Sequence, residues 1–371
     1  MIFKNHNQLL RHYSYLHSIP EPAFFEQKTK EYIRNELTGY AKLQKIYDGK
    51  YGLIYAYNGK DNSNVYDIAF RSELDAVEIE ETSHRFYHGC GHDAHSSIFL
   101  TIAQLVGRCD INDIALCNIL FVFQAGEEKY GGAEYICQVI QKQKIEILKM
   151  FALHVTPDLY SNFISINKGV VLAGGITCQL KIKVPDEGHV SDFKTNASEI
   201  FSQIVFNLRK FNSRDIRCKV SNFSSNGSHN VSPTTICLNI TFRGRSKKLC
   251  EKIKDSFLDT IDYKYSYKEV MAYPAVKNST DLYEYTRNIL LKSSIISILE
   301  TPFIFSCDDF SFYQAILNIQ TCYIFIGAYD GGNAIHSDKF KVHENTLLRG
   351  LYTMMLLVNS EGAIDGKKYI L

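Results

Sequence analysis

The sequence predicts an α/β fold whose mixed, largely parallel sheet is flanked by helices. Two runs, 118–123 and 147–153, are continuously apolar, as expected of strands that are covered on both faces. Segments with helical periodicity lie between and around these runs, and alternating strands and helices are typical of parallel sheets. Near Val171 the pattern changes to half-exposed strands, which indicates a second domain.

The elements of the first part follow in chain order. Leu9 and Leu16 lie on one helical face and Ile33 and Leu37 on another, so two helices are predicted at the start of the chain. Asp93 is a suitable N-cap for the apolar helix that follows it. The other predicted elements of this part are strands at 51–57, 65–70, 118–123 and 147–153 and helices at 94–106 and 132–141.

The pattern of apolar and polar residues in 173–277 predicts an inserted two-layer α+β domain. Strands at 177–184 and 234–242 alternate apolar and polar residues, and helices at 193–208 and 249–261 each carry one apolar face. The larger domain would consist of residues 1–172 and 278–371. Its last part is predicted to contain a helix at 281–291, a strand at 322–326 and a helix at 344–358.

The composition is typical of a globular enzyme. Of the 371 residues, 45% are hydrophobic, and 41 basic residues balance 40 acidic ones, so no nucleic-acid partner is expected. The chain shows no apolar run long enough for a leader or a membrane span, so we expect a cytoplasmic protein without a membrane partner. The ten cysteines are spread singly without a CxxC pair, which predicts free thiols.

A cluster of histidine and cysteine precedes the helix at 94–106. Within eight residues the chain carries His88, Cys90, His92 and His95, and glycines on both sides of Cys90 allow Cys90 and His92 to face one centre. Thiolate and imidazole are good ligands for zinc-like metals. The alternative is a loop with surface histidines.

Three further candidates follow apolar strands. Glu127 and Glu128 come after the strand at 118–123, where one carboxylate could bind a metal while the other moves protons. His154 follows the strand at 147–153 and His336 follows the strand at 322–326. Each alone is equally compatible with a solvated turn or a satisfied core histidine, and it is their repetition at strand ends that favours a site.

An acidic stretch follows the strand that ends at Phe70. Glu73 or Asp75 could hydrogen-bond a ligating histidine from behind, and a solvated acidic loop is the alternative.

These segments resemble the M20 metallopeptidase clan, in particular its branch of aminoacylases, hippurate hydrolases and auxin-conjugate hydrolases. The resemblance covers nearly the whole chain. The matching segments are FRSELDAVEI (70–79), HGCGHDAHSSIFL (88–100), FQAGEEKYGGA (123–133), ALHVTPDL (152–159), the pair Gly188-His189, SHNVSPTTICLNITFR (228–243), SCDDFSFY (306–313) and AIHSDKFKVHENTL (334–347).

The resemblance implies a di-metal exopeptidase-like fold with a lid domain and two divalent ions, Zn or Mn, with Co and Ni as alternatives. It assigns roles to ten side chains: metal ligands Cys90, His92, Glu128, His154 and His336, general base Glu127, lid residues His189, Asn230 and Arg243, and Asp75 behind the ligands. Cys90 would be shared by both ions.

The implied reaction is hydrolysis of the amide bond of an N-acyl amino acid. A metal-bridged water would be the nucleophile, Glu127 would take its proton, His189 and Asn230 would stabilise the oxyanion, and Arg243 would bind the substrate carboxylate. The remaining alternatives are a dipeptidase or carboxypeptidase on the same scaffold, a non-catalytic binding protein, and a hydrolase with Cys90 as nucleophile. A homodimer through the lid domain is compatible with its amphipathic helix.

Three departures from the family pattern stand out. Glu73 replaces an aspartate, Gly126 precedes the glutamate pair where many relatives have alanine, and VSDFK follows Gly188-His189 in place of small residues and proline. Glu73 gives a longer arm behind the ligands than aspartate, and the geometry of the lid after Gly188-His189 is expected to differ.

Overall fold

The computed structural model describes residues 2–80, 85–108, 117–185, 196–329 and 333–360. The chain forms two compact units. The larger comprises Met1–Gly169, Lys277–Pro302 and Phe312–Leu371, and the smaller comprises Val170–Val276 and Phe303–Ser311.

The described residues contain helices and strands in alternation through most of the chain. The helices are α1 (Ile2–His17), α2 (Gln27–Leu37), α3 (His92–Arg108), α4 (Gly132–Lys142), α5 (Ala197–Arg209), α6 (Lys247–Leu258), α7 (Thr280–Leu291), α8 (Ser311–Leu317) and α9 (Glu344–Val358). The strands are β1 (Leu43–Gly49), β2 (Gly52–Asn58), β3 (Val65–Tyr66), β4 (Ile68–Glu73), β5 (Val77–Glu80), β6 (Arg85–Tyr87), β7 (Asn118–Gln124), β8 (Glu146–Ile147), β9 (Lys149–Tyr160), β10 (Phe163–Ser165), β11 (Gly169–Leu172), β12 (Gly174–Lys183), β13 (Ile216–Ser225), β14 (Thr235–Gly244), β15 (Tyr265–Tyr273), β16 (Val276–Asn278), β17 (Ser297–Leu299) and β18 (Gln320–Tyr329). None of these helices is long and apolar enough to cross a membrane.

An eight-stranded mixed sheet forms the centre of the larger unit, in the order β1-β2-β7-β4-β9-β18-β10-β17. Its four middle strands, β7, β4, β9 and β18, run parallel, and β1, β2 and β10 join by antiparallel pairing. Every residue of β7 is buried, which accounts for its continuous apolar run. The predicted fold class is confirmed.

Helix α3 packs its apolar residues into the main core and carries the His/Cys cluster at its start. The helix begins at His92, so the prediction that Asp93 caps it is wrong. The carbonyl of Gly91 accepts the first helical hydrogen bonds, from the amides of Ala94 and His95 at 3.0 and 3.1 Å. The Asp93 carboxylate instead accepts a hydrogen bond from His17 Nδ1 at 2.6 Å.

The smaller unit is a four-stranded antiparallel sheet, β13-β14-β12-β15, whose apolar face packs against α5 and α6. The sequence analysis missed β13 and β15. Most side chains of these two strands are exposed, so the apolar alternation that marks β12 and β14 is weak in them.

The unit boundaries differ from the predicted domains by up to three residues at the two crossings and by one whole segment near the end of the chain. Residues 278–371 were assigned entirely to the larger domain, whereas Phe303–Ser311 belongs to the smaller unit. The backbone explains the difference, because the amide of Ala173 donates to the carbonyls of Ile304 and Ser306 at 3.1 and 2.9 Å.

Candidate metal centre

The predicted ligands of the larger unit come from loops and strands near the carboxyl ends of the parallel strands. Cys90 and His92 lie where α3 begins, Glu128 follows β7, and His336 follows β18. His154 lies inside β9, paired with Phe325 of β18, and does not end a strand as predicted.

Two loops are held against each other at this centre. The amide of His336 donates to the carbonyl of Gly89 at 2.8 Å, and His336 itself has a positive φ of 62°, a strained conformation for a non-glycine residue. Gly91 has a φ of 87°, and a Cβ there would lie 2.4 Å from Val155 Cγ2. A side chain at Gly91 would push Cys90 and His92 away from β9.

The candidate ligand atoms form two groups that share one sulfur. Cys90, His92 and His154 make one group, and Cys90, Glu128 and His336 make the other, with the ligand atoms of each group within 4.8 Å of one another. Cys90 Sγ lies 3.5 Å from His154 Nε2, and His336 Nε2 lies 3.4 Å from Glu128 Oε1. The structure therefore brings together all five predicted ligands.

Hydrogen bonds fix which ring nitrogens face the centre. His92 Nδ1 donates to the backbone carbonyl of Asp75 at 2.9 Å, and His154 Nδ1 donates to the carbonyl of Val155 at 2.7 Å. A carbonyl only accepts, so Nδ1 carries a proton in both rings and Nε2 is the ring nitrogen left for a metal. Such a carbonyl behind the imidazole is the usual arrangement for a metal-binding histidine.

Unsatisfied buried atoms support a metal at this place. His92 Nε2 and Glu128 Oε1 are buried and have no hydrogen-bond partner among the described residues. Buried polar atoms are rarely left without a partner, because desolvation then costs about 1–3 kcal/mol for each. One thiol, imidazoles and a carboxylate are donors that suit Zn²⁺ and related ions, so the residues fit divalent metal.

Burial sets the protonation of these groups in the absence of a cation. It lowers the pKa of His154 to about 3, with help from the neighbouring His95, so this imidazole is neutral. Burial also raises the pKa of the Cys90 thiol and that of Glu128. Both effects oppose negative charge, so a bound cation would be needed to stabilise thiolate and carboxylate together.

Glu127 and Asp75 have separate positions around the ligands. Glu127 Oε2 lies 3.9 Å from His92 Nε2, and Glu127 forms a third donor group with His92 and Glu128. Asp75 Oδ1 lies 3.4 Å from His92 Nδ1, while Asp75 Oδ2 accepts a hydrogen bond from the amide of Glu128 at 2.9 Å. Asp75 thus contacts one candidate ligand by its side chain and fixes the backbone of another.

A buried polar network lies behind the candidate ligands. Glu73 pairs with Arg71 and also accepts from His95 Nδ1 at 2.9 Å, and all three side chains are fully buried. The Nε2 of His95 accepts the amide of Val155 at 3.0 Å, beside His154. Burial opposes the charge on Glu73, but Arg71 and His95 outweigh it and lower the pKa of that carboxyl.

The sequence analysis considered Glu73 but gave no role to Arg71. Arg71 Nε donates to Gln124 Oε1 at 3.0 Å, and the Tyr313 hydroxyl donates to the same oxygen at 2.9 Å. An arginine directly after the apolar residues 68–70 of β4 was the signal that could have revealed this network, because arginine is almost never fully buried unless paired.

The three predicted lid residues, His189, Asn230 and Arg243, lie in a different part of the sequence from the candidate metal ligands. His189 lies outside the described residues. Asn230 is exposed in the turn between β13 and β14, and Arg243 is half-buried near the end of β14 in the smaller unit. Arg243 Nη1 lies 3.4 Å from the carbonyl oxygen of Phe305.

The sequence pattern of one family, peptidase family M20/M25/M40, matches residues 69–360. This match covers most of the chain, so the protein is a metallo-amidohydrolase. It belongs to peptidase family M20/M25/M40. The predicted resemblance to the M20 clan is confirmed.

Curated relatives match along almost the full chain. N-acetyldiaminopimelate deacetylase of Bacillus subtilis (strain 168) is 25% identical over 366 residues, covering 91% of this chain and 94% of the relative. IAA-amino acid hydrolase ILR1-like 4 of Arabidopsis thaliana is 26% identical over 367 residues, covering 90% and 81%.

Solved structures share the fold. A dinuclear metal-binding peptidase of the M20 family from Bacillus subtilis superposes with a TM-score of 0.76 at 20% identity, covering 97% of this chain and 99% of its own. An aminobenzoyl-glutamate utilization protein from Klebsiella pneumoniae superposes with a TM-score of 0.69 at 14% identity, covering 96% and 97%.

Proposed function

We propose that this metallo-amidohydrolase cleaves the amide bond of N-acyl amino acids and binds two divalent ions. The observation that carries the proposal is the position of Cys90, whose sulfur belongs to both donor groups. One ion would be held by Cys90, His92 and His154, and the other by Cys90, Glu128 and His336. Relatives named as a deacetylase and as an amino acid hydrolase support this substrate class.

The two ions would supply Lewis acidity, which lowers the pKa of a water and polarises an amide carbonyl. Glu127 is the proposed general base, which takes a proton from the attacking water and returns it to the leaving amine. Its position supports this role, because it borders His92 and Glu128 without belonging to the two groups that share Cys90. The carbonyl partners of His92 and His154 occupy each Nδ1 and leave each Nε2 for a metal.

Residues of the smaller unit would recognise the substrate. Arg243 is the proposed partner of the substrate carboxylate, because its guanidinium is half-buried near the end of β14 and an arginine pairs with carboxylates through two parallel hydrogen bonds. Asn230 is the proposed oxyanion donor together with His189, whose role remains a prediction from the sequence.

The alternative with Cys90 as nucleophile is disfavoured. Reactive cysteines have a lowered pKa and partial exposure, whereas Cys90 is buried and burial raises the pKa of its thiol. A dipeptidase or carboxypeptidase uses the same metals, so the choice between it and an acyl-amino acid hydrolase depends on measured substrate preference.

The experiment is a substrate panel with metal-loaded protein. Protein stripped with chelator and reloaded with Zn²⁺, Mn²⁺, Co²⁺ or Ni²⁺ is assayed against N-acetyl, N-benzoyl and indole-3-acetyl amino acids, N-acetyldiaminopimelate and unblocked dipeptides. We expect higher kcat/KM on at least one N-acyl amino acid than on every dipeptide, and no activity in EDTA. Preference for dipeptides, or activity that survives EDTA, would contradict the proposal.

We also propose a cytoplasmic homodimer formed through the smaller unit. All nine cysteines of the described residues are free thiols, which suits a reducing compartment. On the smaller unit Phe206 of α5 and Phe223 of β13 are 65% and 62% exposed, and Phe223 stacks on Phe201 at 4.6 Å. Light scattering of the wild type and of a Phe206→Ser/Phe223→Ser variant tests the dimer, and a wild-type monomer would contradict it.

A further inference from the structure

A buried glutamate at the start of α2 binds the loop that carries the glutamate pair. The side chain of Glu26 is fully buried, and its Oε1 accepts hydrogen bonds from the amide of Phe24 at 2.8 Å and from the amide of Gly126 at 2.9 Å. Gly126 lies 100 residues further along the chain and directly precedes Glu127.

The side chain of Glu26 does not cap its own helix, α2. It occupies the N-cap position of α2 but makes no side-chain capping hydrogen bond. Glu21 satisfies the first turn instead, because its carboxylate accepts from the amides of Lys28 and Thr29 at 3.0 and 2.9 Å. The carboxylate of Glu26 is therefore committed to the loop after β7.

The loop conformation at Gly126 depends on close packing. Gly126 has a φ of 71°, and a Cβ there would lie 2.2 Å from Cε1 of Phe24, which itself has a positive φ of 69°. Phe24, whose φ is unfavourable for a non-glycine residue, thus lies against Gly126, and Glu26 accepts hydrogen bonds from the backbone amides of both. This contact also accounts for glycine at position 126, because the Cβ of any other residue would collide with the ring of Phe24.

The loop has a second carboxylate anchor two residues later. Asp75 Oδ2 accepts the amide of Glu128, so Glu26 and Asp75 hold the amides on either side of Glu127. The other oxygen of Glu26, Oε2, is buried and has no hydrogen-bond partner among the described residues. Burial, together with Asp75, raises the pKa of Glu26 to about 7, so a neutral side chain of the same shape should be tolerated.

We propose that Glu26 is a positioning residue for the reaction, which sets the direction of Glu127 by fixing the amide of Gly126. The inference rests on the proposed role of Glu127 as general base. A base displaced by about 1 Å can lose roughly 10²-fold in rate. Since Glu26 acts on proton transfer and not on substrate contacts, its loss should lower kcat and leave KM nearly unchanged.

The test compares Glu26→Ala and Glu26→Gln with Glu21→Ala in the metal-loaded full chain. Glu26→Ala should lower kcat by roughly 10²-fold. Glu26→Gln keeps an acceptor oxygen at the same reach and should restore most of the rate. Glu21→Ala is the matched control, because it also removes a carboxylate that accepts two backbone amides in the same segment, and it should keep the wild-type kcat.

Amide hydrogen exchange at Gly126 gives a readout that needs no substrate. In metal-free protein, exchange at Gly126 should accelerate in Glu26→Ala, whereas Glu26→Gln and Glu21→Ala should resemble wild type. If Glu26→Ala does not fold, Glu26→Asp replaces it, since its carboxylate is one methylene too short to reach Gly126.

Two results would overturn the proposal. One is unchanged amide exchange at Gly126 in Glu26→Ala, or in Glu26→Asp where that variant replaces it; the other is an equal loss of kcat in Glu26→Ala and Glu21→Ala. A wild-type enzyme that hydrolyses no N-acyl amino acid would contradict the proposed function instead. Gly126 exchange would still decide in that case whether Glu26 anchors the loop.

Discussion

The interiors of the two units differ in what they bury. In the smaller unit, strands β12 and β14 and helices α5 and α6 enclose an apolar cluster, and its buried charged side chains among the described residues, Lys254, Asp308 and Asp309, lie outside that cluster. The core of the larger unit also contains Arg71, Glu73, Asp75 and several histidines. Burying a charged group lowers the free energy of unfolding unless the group is paired. Packing alone therefore does not explain the buried charged groups of the larger unit.

The difference indicates which interior is shaped for chemistry. At the candidate metal centre, two atoms of predicted ligands, His92 Nε2 and Glu128 Oε1, are among the buried atoms that have no hydrogen-bond partner in the described residues. The cluster of the smaller unit contains only hydrophobic residues and can be explained by stability alone. Substitutions in the two interiors should therefore separate function from stability.

Glu127→Gln should have the largest effect on turnover. Removing a general base costs about 10²–10⁴-fold in rate, and the amide side chain cannot take a proton. Metal content should stay near wild type, because the two donor groups that share Cys90 do not include Glu127. Metal analysis alongside kcat checks this, and Glu128→Gln is the matched control that should lose metal. The reverse pattern in the two variants would contradict the assignment.

Cys90→Ser should weaken both ions at once, because the sulfur belongs to both donor groups and a hydroxyl rarely ionises to replace a thiolate. His154→Ala and His336→Ala should each weaken one ion. Equilibrium dialysis followed by elemental analysis measures the stoichiometry. A Cys90→Ser protein that retains two tightly bound ions would remove Cys90 from the shared position.

Glu73→Gln should destabilise the metal-free protein by about 3–5 kcal/mol, because it leaves the buried Arg71 without its charged partner. The folded-state pKa of Glu73 is lowered, so its contribution is present above the unfolded pKa and is lost as pH falls through the folded value. Urea unfolding at several pH values measures the loss of stability and its dependence on pH. Glu284→Gln, which breaks the exposed pair with Lys168, is the control and should change stability little.

Phe257→Ala in the smaller unit should change stability without changing the metal centre. Phe257 is fully buried against Phe242 and Phe211, so truncation should cost about 3–5 kcal/mol. Both metal affinities should remain as in the wild type. Calorimetric metal titration at a temperature where the variant is folded checks this, and loss of metal would show that the two interiors are not independent.

The sequence by itself determined the elements with strong periodicity and the types of metal-binding side chain. Helix α9 and strand β7 were predicted with nearly correct ends, because packing on one or both faces leaves a clear apolar pattern. Cys90, His92 and Glu128 stood out because thiol, imidazole and carboxylate groups at strand and helix ends are chemically unusual. Exposed strands such as β13 leave no such pattern, which is why they were missed.

Only the tertiary structure decided which groups share a centre and which side chains hold them. The division of the five ligands around Cys90 depends on residues from β9, from the start of α3 and from the loops after β7 and β18, and no sequence spacing encodes it. Glu26 was not recognised because its partner Gly126 is 100 residues away and a single glutamate at a helix start resembles an ordinary carboxylate that complements the helix dipole. Arg71 and Glu73 likewise become a buried pair only when β4 lies inside the sheet, because burial removes the water that would otherwise solvate them.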